Sequence, residues 1–221
     1  MLTFTRSWRR AMRDTFLIEA FQTPQGVAEE LQPYFDNLDM DIYIDSKHRF
    51  RSYARFQFEN DKIVRLPHSK FVQSSDVNRV LGDVERDFPK MEQRLVETEQ
   101  FQRLLKSFIE RTGSDKDHAV VDVHQIRVTC DSDATSSPAP EGIHQDGFNF
   151  VGIFCVRRKN ISGGATQIFK SQVEQHPHLN TILEENQFVI LNDQRYFHHI
   201  SETLSSEPGQ KGVRDVFVFT A

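Results

Sequence analysis

The chain has 221 residues, with 27 Lys+Arg against 32 Asp+Glu and a net charge of −5 with histidine neutral, which leaves room for one domain or at most two. The mildly acidic balance argues against a general nucleic-acid or anionic-membrane binder, and no apolar run approaches the roughly 18–20 residues of a membrane span. With 38% apolar residues and 19 phenylalanines, there is enough apolar matter for a packed core, which excludes wholesale disorder.

The opening stretch, MLTFTRSWRRAMRDTFLIEAF, carries early arginines but no unbroken apolar segment and no small-residue cleavage site, so it does not fit a secretory signal. Thr23-Pro24 fits an N-cap followed by proline at the first helical position. Val27, Leu31, Tyr34, Phe35 and Leu38 then follow helical spacing. His48–Phe58 alternates as a strand, with Phe50, Phe56 and Phe58 on one parity and Arg51, Tyr53 and Arg55 on the other. Asn60-Asp61 reads as a turn and Lys62–Leu66 as the return strand. Ser74–Arg111 is predicted mostly helical and broken near Pro89. Its second half is the clearest helix, through Phe101, Leu104, Leu105, Phe108 and Ile109, with Gly113 as the stop.

Ala119–Cys130 is rich in β-branched residues and predicts a strand. The alternation Val123, Gln125, Arg127 places Gln125 and Arg127 inward, and His124 on the other face. Asp131–Glu141 is a polar loop of lid length. Phe148–Val156 predicts a strand, Asn160–Gly164 a hairpin turn, Ser171–Asn186 a short helix, and Gln187–Leu191, Tyr196–Ser201 and Val213–Thr220 further strands. Cys130 and Cys155 lie in apolar strands and read as buried thiols of a reducing, cytoplasmic protein. Short strands after helices predict an α+β fold: a jelly-roll or barrel core with the N-terminal helices packed outside. The expected organisation is a single domain over 1–221, with 1–117 mainly helical support plus a hairpin, and 118–221 the core.

Residues two apart in a strand share a face, so His144 and Asp146 aim an imidazole and a carboxylate at one point. A second histidine would complete a facial triad that binds Fe(II) and leaves coordination positions open. His198 and His199 are the candidates. Arg214, 16 residues beyond His198 at the start of an apolar strand, suits a guanidinium gripping a buried carboxylate bidentately. Nine histidines give about 0.5 chance occurrences of His-x-Asp, so the constellation gains its weight from context. His176-Pro177-His178 lies in a polar stretch and reads as surface.

The stretch Pro140–Val151 (PEGIHQDGFNFV) resembles the metal-binding strand of the small bacterial Fe(II)/2-oxoglutarate-dependent dioxygenases of the isoleucine dioxygenase and biofilm-regulator type. Arg51–Phe56, His124–Arg127, Asn160–Gly164, Phe197-His198 and Arg214–Val216 match the same family in order. The resemblance spans about residues 40–220. It implies a double-stranded β-helix (cupin-like) fold, Fe(II) on His144, Asp146 and His198, and 2-oxoglutarate anchored by Arg214, with O2 as the oxidant. Gln125 and Arg127 become candidates for the co-substrate, Arg51 and Tyr53 for co-substrate or substrate. It further implies hydroxylation, since Asp146 occupies the position that is Gly or Ala in related halogenases, and a free aliphatic L-amino acid as substrate. His199, Glu202 and Ala165 depart from the family pattern. The expected partners are therefore a small molecule, with neither nucleic acid nor membrane, and a homodimer as an admissible assembly. Two other readings stay open at this stage: a non-catalytic small-molecule-binding barrel in stress or biofilm regulation, and a metal dioxygenase independent of 2-oxoglutarate.

Overall fold

The computed structural model describes residues 18–44, 47–59, 62–114 and 118–221. In chain order they form β1 (Ile18–Gln22), α1 (Val27–Leu31) running into a 3-10 turn (Gln32–Phe35), β2 (Arg49–Glu59), β3 (Lys62–Arg65), α2 (Gln93–Val96), α3 (Glu99–Thr112), β4 (Val120–Cys130) and β5 (Phe150–Lys159). Then come β6 (Ile161–Gly163), β7 (Thr166–Phe169), β8 (Leu179–Thr181), β9 (Gln187–Asn192), β10 (Phe197–Ile200), β11 (Thr203–Ser205) and β12 (Gly212–Thr220). Seven strands make one antiparallel sheet in the order β1-β9-β5-β12-β4-β2-β3. A three-stranded sheet, β10-β7-β8, and a two-stranded ribbon, β11-β6, complete the strands. Among the described residues, most of the regular structure is sheet, as a jelly-roll requires.

The large sheet is buried on both faces. Its outer face carries Phe56, Val121, Val123, Phe154, Phe217 and Phe219, which share a core with the apolar stripe of α3. Phe101 meets Phe217 and Phe108 meets Phe219 at ring-centroid separations of 5.4 and 5.7 Å, and burial of each such ring contributes about 1.5–3 kcal/mol. The α3 ends follow the sequence. Thr98 caps its start by accepting from Phe101 N, and Gly113 ends it at φ 62°. Gly152 lets β5 approach the helix, because a Cβ there would lie 2.8–2.9 Å from the Phe188 and Phe108 rings. The inner face carries Ile126, Val128, Val151, Ile153 and Val216, which pack with Ile168 of β7 and Ile200 of β10. The second core therefore lies between the large and small sheets. Cys130 and Cys155 are buried and free.

Several expectations need correction. The first helix does not start at Thr23-Pro24. It starts after Gly26 (φ 92°), and its cap comes from far along the chain: Ala28 N donates to Asn186 Oδ1 at 2.7 Å, and the Thr23 hydroxyl donates to Asn186 O at 2.9 Å. Ser74–Met91 is not helical. Asn78 Oδ1 accepts from Val80 N and Leu81 N at 3.0 and 2.8 Å, and Asp83 Oδ1 accepts from Ser75 N at 3.3 Å. Such local side-chain bonds compete with helical ones, and the segment is further drawn into bridges of Phe71 with Arg86 and of Lys90 with Tyr53. Asn160–Gly164 is no hairpin turn, since Ile161–Gly163 pairs with β11. Ser171–Asn186 forms turns and β8 instead of a helix, with His178 N held by Ile168 O at 2.8 Å. Strands β1–β3 lie in the same sheet as β4, β5, β9 and β12, so the described residues of this first part build sheet as well as helix. The Asn60-Asp61 turn and residues 1–17 of the opening stretch lie outside the described residues.

Candidate metal centre

His144 sits in the loop before β5. It is tied to β10 by a bridge in which His144 N donates to His198 O at 3.0 Å and His198 N donates to His144 O at 2.8 Å. Their rings stand 4.4 Å apart between centroids. Asp146 lies between them, its Oδ1 3.7 Å from His144 Nε2 and its Oδ2 3.5 Å from His198 Nε2. One ligand atom from each of the three residues lies within 4.8 Å of the others, the pattern of a site that collects one ion on one face. His144 Nδ1 lies 2.9 Å from Gly142 O. A carbonyl can only accept, so Nδ1 carries the proton and Nε2 keeps its lone pair for a metal.

Charge and burial fit the same assignment. Burial alone would raise the Asp146 carboxyl, but hydrogen bonding and attraction from His198, with His144 beside it, hold it well below the carboxylate range. Burial would lower His198, and Asp146 outweighs it to raise the imidazole. Burial and the His198 charge lower His144.

Two further side chains hold Asp146. Asp193, 1% exposed, accepts from Asp146 N, Gly147 N and Phe148 N at 2.9, 2.8 and 3.2 Å, and its Oδ1 faces His198 Nδ1 at 3.7 Å. Burial and the Asp146 charge push the Asp193 carboxyl up to about 6. Gly147 (φ 86°) makes the turn that brings those three N–H groups to one carboxylate. Gln73 Nε2 donates to Asp146 O at 3.0 Å and to Oδ1 at 3.3 Å, while its Oε1 accepts from Arg86 at 2.8 Å.

The three ligands line a pocket of about 760 Å³, counting its open mouth. Ile126, Val128, Ile153, Val216 and Val218 form its apolar wall, and Arg214 stands among them. Arg214 is 3% exposed, and its Nε and Nη2 have no hydrogen-bond partner among the described residues. A buried guanidinium left in this state is costly, and a carboxylate of a co-substrate would satisfy it bidentately. Arg49, Arg51, Arg86, His124 and Glu141 line the same pocket. Burial, then the charge of Arg49, pushes Arg51 down to about 9. Arg51 Nε donates to His124 Nδ1 at 3.1 Å. Burial, then Arg51, drives the His124 pKa well down, so the ring is neutral with its proton on Nε2.

His144, Asp146, His198, Arg214 and Arg51 are thus brought together as the sequence suggests, with His144 and Asp146 in a loop and not in a strand. His199 turns away from the pocket, its Nδ1 3.2 Å from Gly142 O, and His178 is engaged with Glu174 at the surface. Gln125 and Arg127 are not in the pocket. The parity of β4 is the reverse of that expected, because the outer face offers them partners. Ser52 Oγ donates to Gln125 Oε1 at 2.7 Å and Gln125 Nε2 donates to Tyr34 O at 2.9 Å. Arg127 binds both oxygens of Asp215 at 2.7 and 2.8 Å and Asp36 at 2.9 Å. Tyr53 does not line the pocket either; it stacks on His124 at 4.7 Å and packs with Phe71 and Phe88. Sequence reasoning missed His124, Arg49, Arg86, Gln73, Glu141 and Asp193 as site residues. Arg49 was within reach, two positions from Arg51 on a strand, whereas Arg86 and Gln73 lie in an irregular segment with no periodicity to place them.

Fold and site together define a jelly-roll protein in which two histidines and one carboxylate could hold a single metal ion, with a buried arginine lining the same pocket. A family model described as 2OG-Fe dioxygenase matches residues 32–220, so the chain belongs to the 2OG-Fe dioxygenase family. It is therefore a 2-oxoglutarate-dependent dioxygenase, whose family uses Fe(II), 2-oxoglutarate and O2. Among solved structures, a bsmA homolog from Methylobium petroleophilum PM1 is similar at 20% identity and a TM-score of 0.80, covering 97% of this chain and 91% of that one. IDO from Bacillus thuringiensis is similar at 16% identity and 0.76, covering 100% and 96%. The Fe(II)/(alpha)ketoglutarate-dependent dioxygenase TqaL is similar at 14% identity and 0.66, covering 97% and 85%. At these identities the likeness shows the fold. No curated protein matches the chain. No helix among the described residues is long and apolar enough to cross a membrane.

Proposed function

We propose that this dioxygenase hydroxylates an unactivated C–H bond of a free L-amino acid. The supporting observation is that the metal ligands share their pocket with guanidinium groups, Arg51 and Arg86, and with a carboxylate, Glu141, the opposite charges that an amino acid's carboxylate and ammonium require. The resemblance of Pro140–Val151 to the isoleucine dioxygenase type supports the same class. The aliphatic side chain implied by that resemblance is the part the charged lining supports least.

In this reading His144, Asp146 and His198 hold Fe(II), and Arg214 takes the distal carboxylate of 2-oxoglutarate. Iron and co-substrate together supply the oxygen-activating chemistry, with succinate and CO2 as co-products. The chain's own residues fix the geometry. The Gly142 carbonyl sets the His144 tautomer, Gln73 and Asp193 orient Asp146, and the wall of Ile126, Val216 and Val218 keeps water from the reacting centre.

The test is incubation of the purified protein with Fe(II), 2-oxoglutarate and a panel of amino acids. The expected result is succinate release together with a product one oxygen atom heavier, both absent in His144→Ala. A panel giving neither, with the His144→Ala variant matching wild type, removes the reading.

A further inference from the structure

The pocket holds more positive charge than a zwitterion can answer. The two carboxylates of 2-oxoglutarate, together with Asp146, would balance the charge of Fe(II) and Arg214. Arg49, Arg51 and Arg86 remain, all lining the same space and 7%, 7% and 2% exposed. Asp41, 3% exposed, lies beneath the first two, its Oδ2 3.5 Å from Arg49 Nε and 3.9 Å from Arg51 Nη1, so it answers one guanidinium of the three. Neither Arg49 Nε nor Arg86 Nε has a hydrogen-bond partner among the described residues. The faces of Arg51 and Arg86 are covered by the Phe88 and Phe71 rings, with the guanidinium carbons 4.3 and 4.8 Å from the ring centroids. This covering keeps water from solvating them, and each already donates one hydrogen bond within the chain, Arg51 Nε to His124 and Arg86 to Gln73. If Glu141 takes a substrate ammonium, two cations stay unanswered, and an amino acid's single carboxylate answers only one.

From this we infer that the substrate is a dicarboxylic amino acid, or an amino acid bearing an equivalent acidic group, whose second carboxylate is received by Arg49 and Arg86. The inference rests on the amino-acid hydroxylase reading and narrows its substrate class. The physical reason is the asymmetry of buried hydrogen bonding: guanidinium groups already stripped of water reject an uncharged isostere because it leaves them unpaired.

The experiment uses the full-length protein under argon with Fe(II) and 2-oxoglutarate, so that binding is read without turnover. Dissociation constants come from the rise in Tm for the pairs L-glutamate and L-glutamine, L-aspartate and L-asparagine, and L-2-aminoadipate and L-norleucine. At least one acid should bind about tenfold or more tightly than its uncharged partner. Arg49→Gln and Arg86→Gln should each remove that preference. Arg49 has no hydrogen bond or ion pair to Gln73 or Asp146 among the described residues, so Arg49→Gln should leave the stabilisation by 2-oxoglutarate in place, which shows the metal and co-substrate site to be intact. If each neutral member equals or exceeds its acid, the inference is overturned. Hydroxylation of neutral aliphatic amino acids in the aerobic assay would accompany that result with the amino-acid reading still standing. Glutarate, succinate and adipate, which lack the ammonium, form a further arm. If they bind as tightly as the amino acids, the two-carboxylate recognition stands and the amino-acid reading falls. If no acid in any arm binds, the inference is overturned.

Discussion

Arg127 and Arg214 stand on β4 and β12, adjacent strands of one sheet, and have opposite surroundings. Arg127 points outward and meets both oxygens of Asp215, the residue opposite it in the β-ladder, with Asp36 as a further partner. Arg214 points inward and its Nε and Nη2 meet no acceptor among the described residues. The first is a completed ion pair that joins the sheet to the 3-10 turn and its following loop. The second is a half-built one, with donors that a carboxylate from outside the chain would satisfy. The residue type is the same, although Arg127 is only partly buried and Arg214 fully so, and what separates scaffold from site is whether the hydrogen bonds are already used.

Exchanging these two residues for smaller ones tests the contrast. Arg214→Ala should weaken 2-oxoglutarate binding by about 10²–10³-fold, measured by calorimetric titration of the metal-loaded protein, while urea unfolding of the protein without co-substrate shows no loss of stability, because the change removes an uncompensated charge. Arg127→Ala should do the reverse. It strands the buried Asp215 with only Arg157, at 3.5 Å, to answer it, and should cost about 3 kcal/mol in urea unfolding with 2-oxoglutarate affinity unchanged. An Arg127→Ala protein that keeps its stability but loses co-substrate would return Arg127 to the pocket and break the comparison.

The smallest effect concerns Asp36. Burial would raise its carboxyl, but hydrogen bonds from Arg127 and Arg157 outweigh this and hold it below the ordinary range. A depressed folded pKa means a contribution present above the unfolded value and lost as the pH falls through the folded one. Asp36→Asn should therefore flatten the decline in stability as pH is lowered from about 5, by less than about 1 kcal/mol because the group is largely exposed. An unchanged acid limb in urea titrations would show that Asp36 adds nothing to the outer cluster.

The long strands and α3 were legible because their periodicities are strong and their ends carry plain signals, such as Thr98 and Gly113. His144, Asp146, His198 and Arg214 were legible as a set because their spacing and their family resemblance agree. The parity of β4 was not. A strand covered on both faces has apolar residues at both parities, so Val121 and Val123 on one side and Ile126 and Val128 on the other give no alternation to read. The outer-face partners of Gln125 and Arg127 decide, and they are distant in the chain, Asp215 by 88 residues and Tyr34 by 91. Arg86 and Gln73 were hidden for a different reason: Ser74–Met91 is built from side-chain-to-backbone bonds that leave no repeat, and its composition alone imitates a helix. Asp193 escaped because its role is toward three backbone N–H groups, a partnership that no side-chain pattern announces.

The paired backbone bonds between His144 and His198 have a consequence for metal selectivity. A cradle pinned by main-chain hydrogen bonds is ready-made before any ion arrives, so it has little freedom to reshape itself against an unwanted one. Two imidazoles and a carboxylate follow the general affinity series in which cobalt, nickel, copper and zinc all exceed ferrous iron. Occupancy in a cell would then follow supply, and protein isolated without added ferrous salt should carry a mixture of ions and regain iron only by exchange.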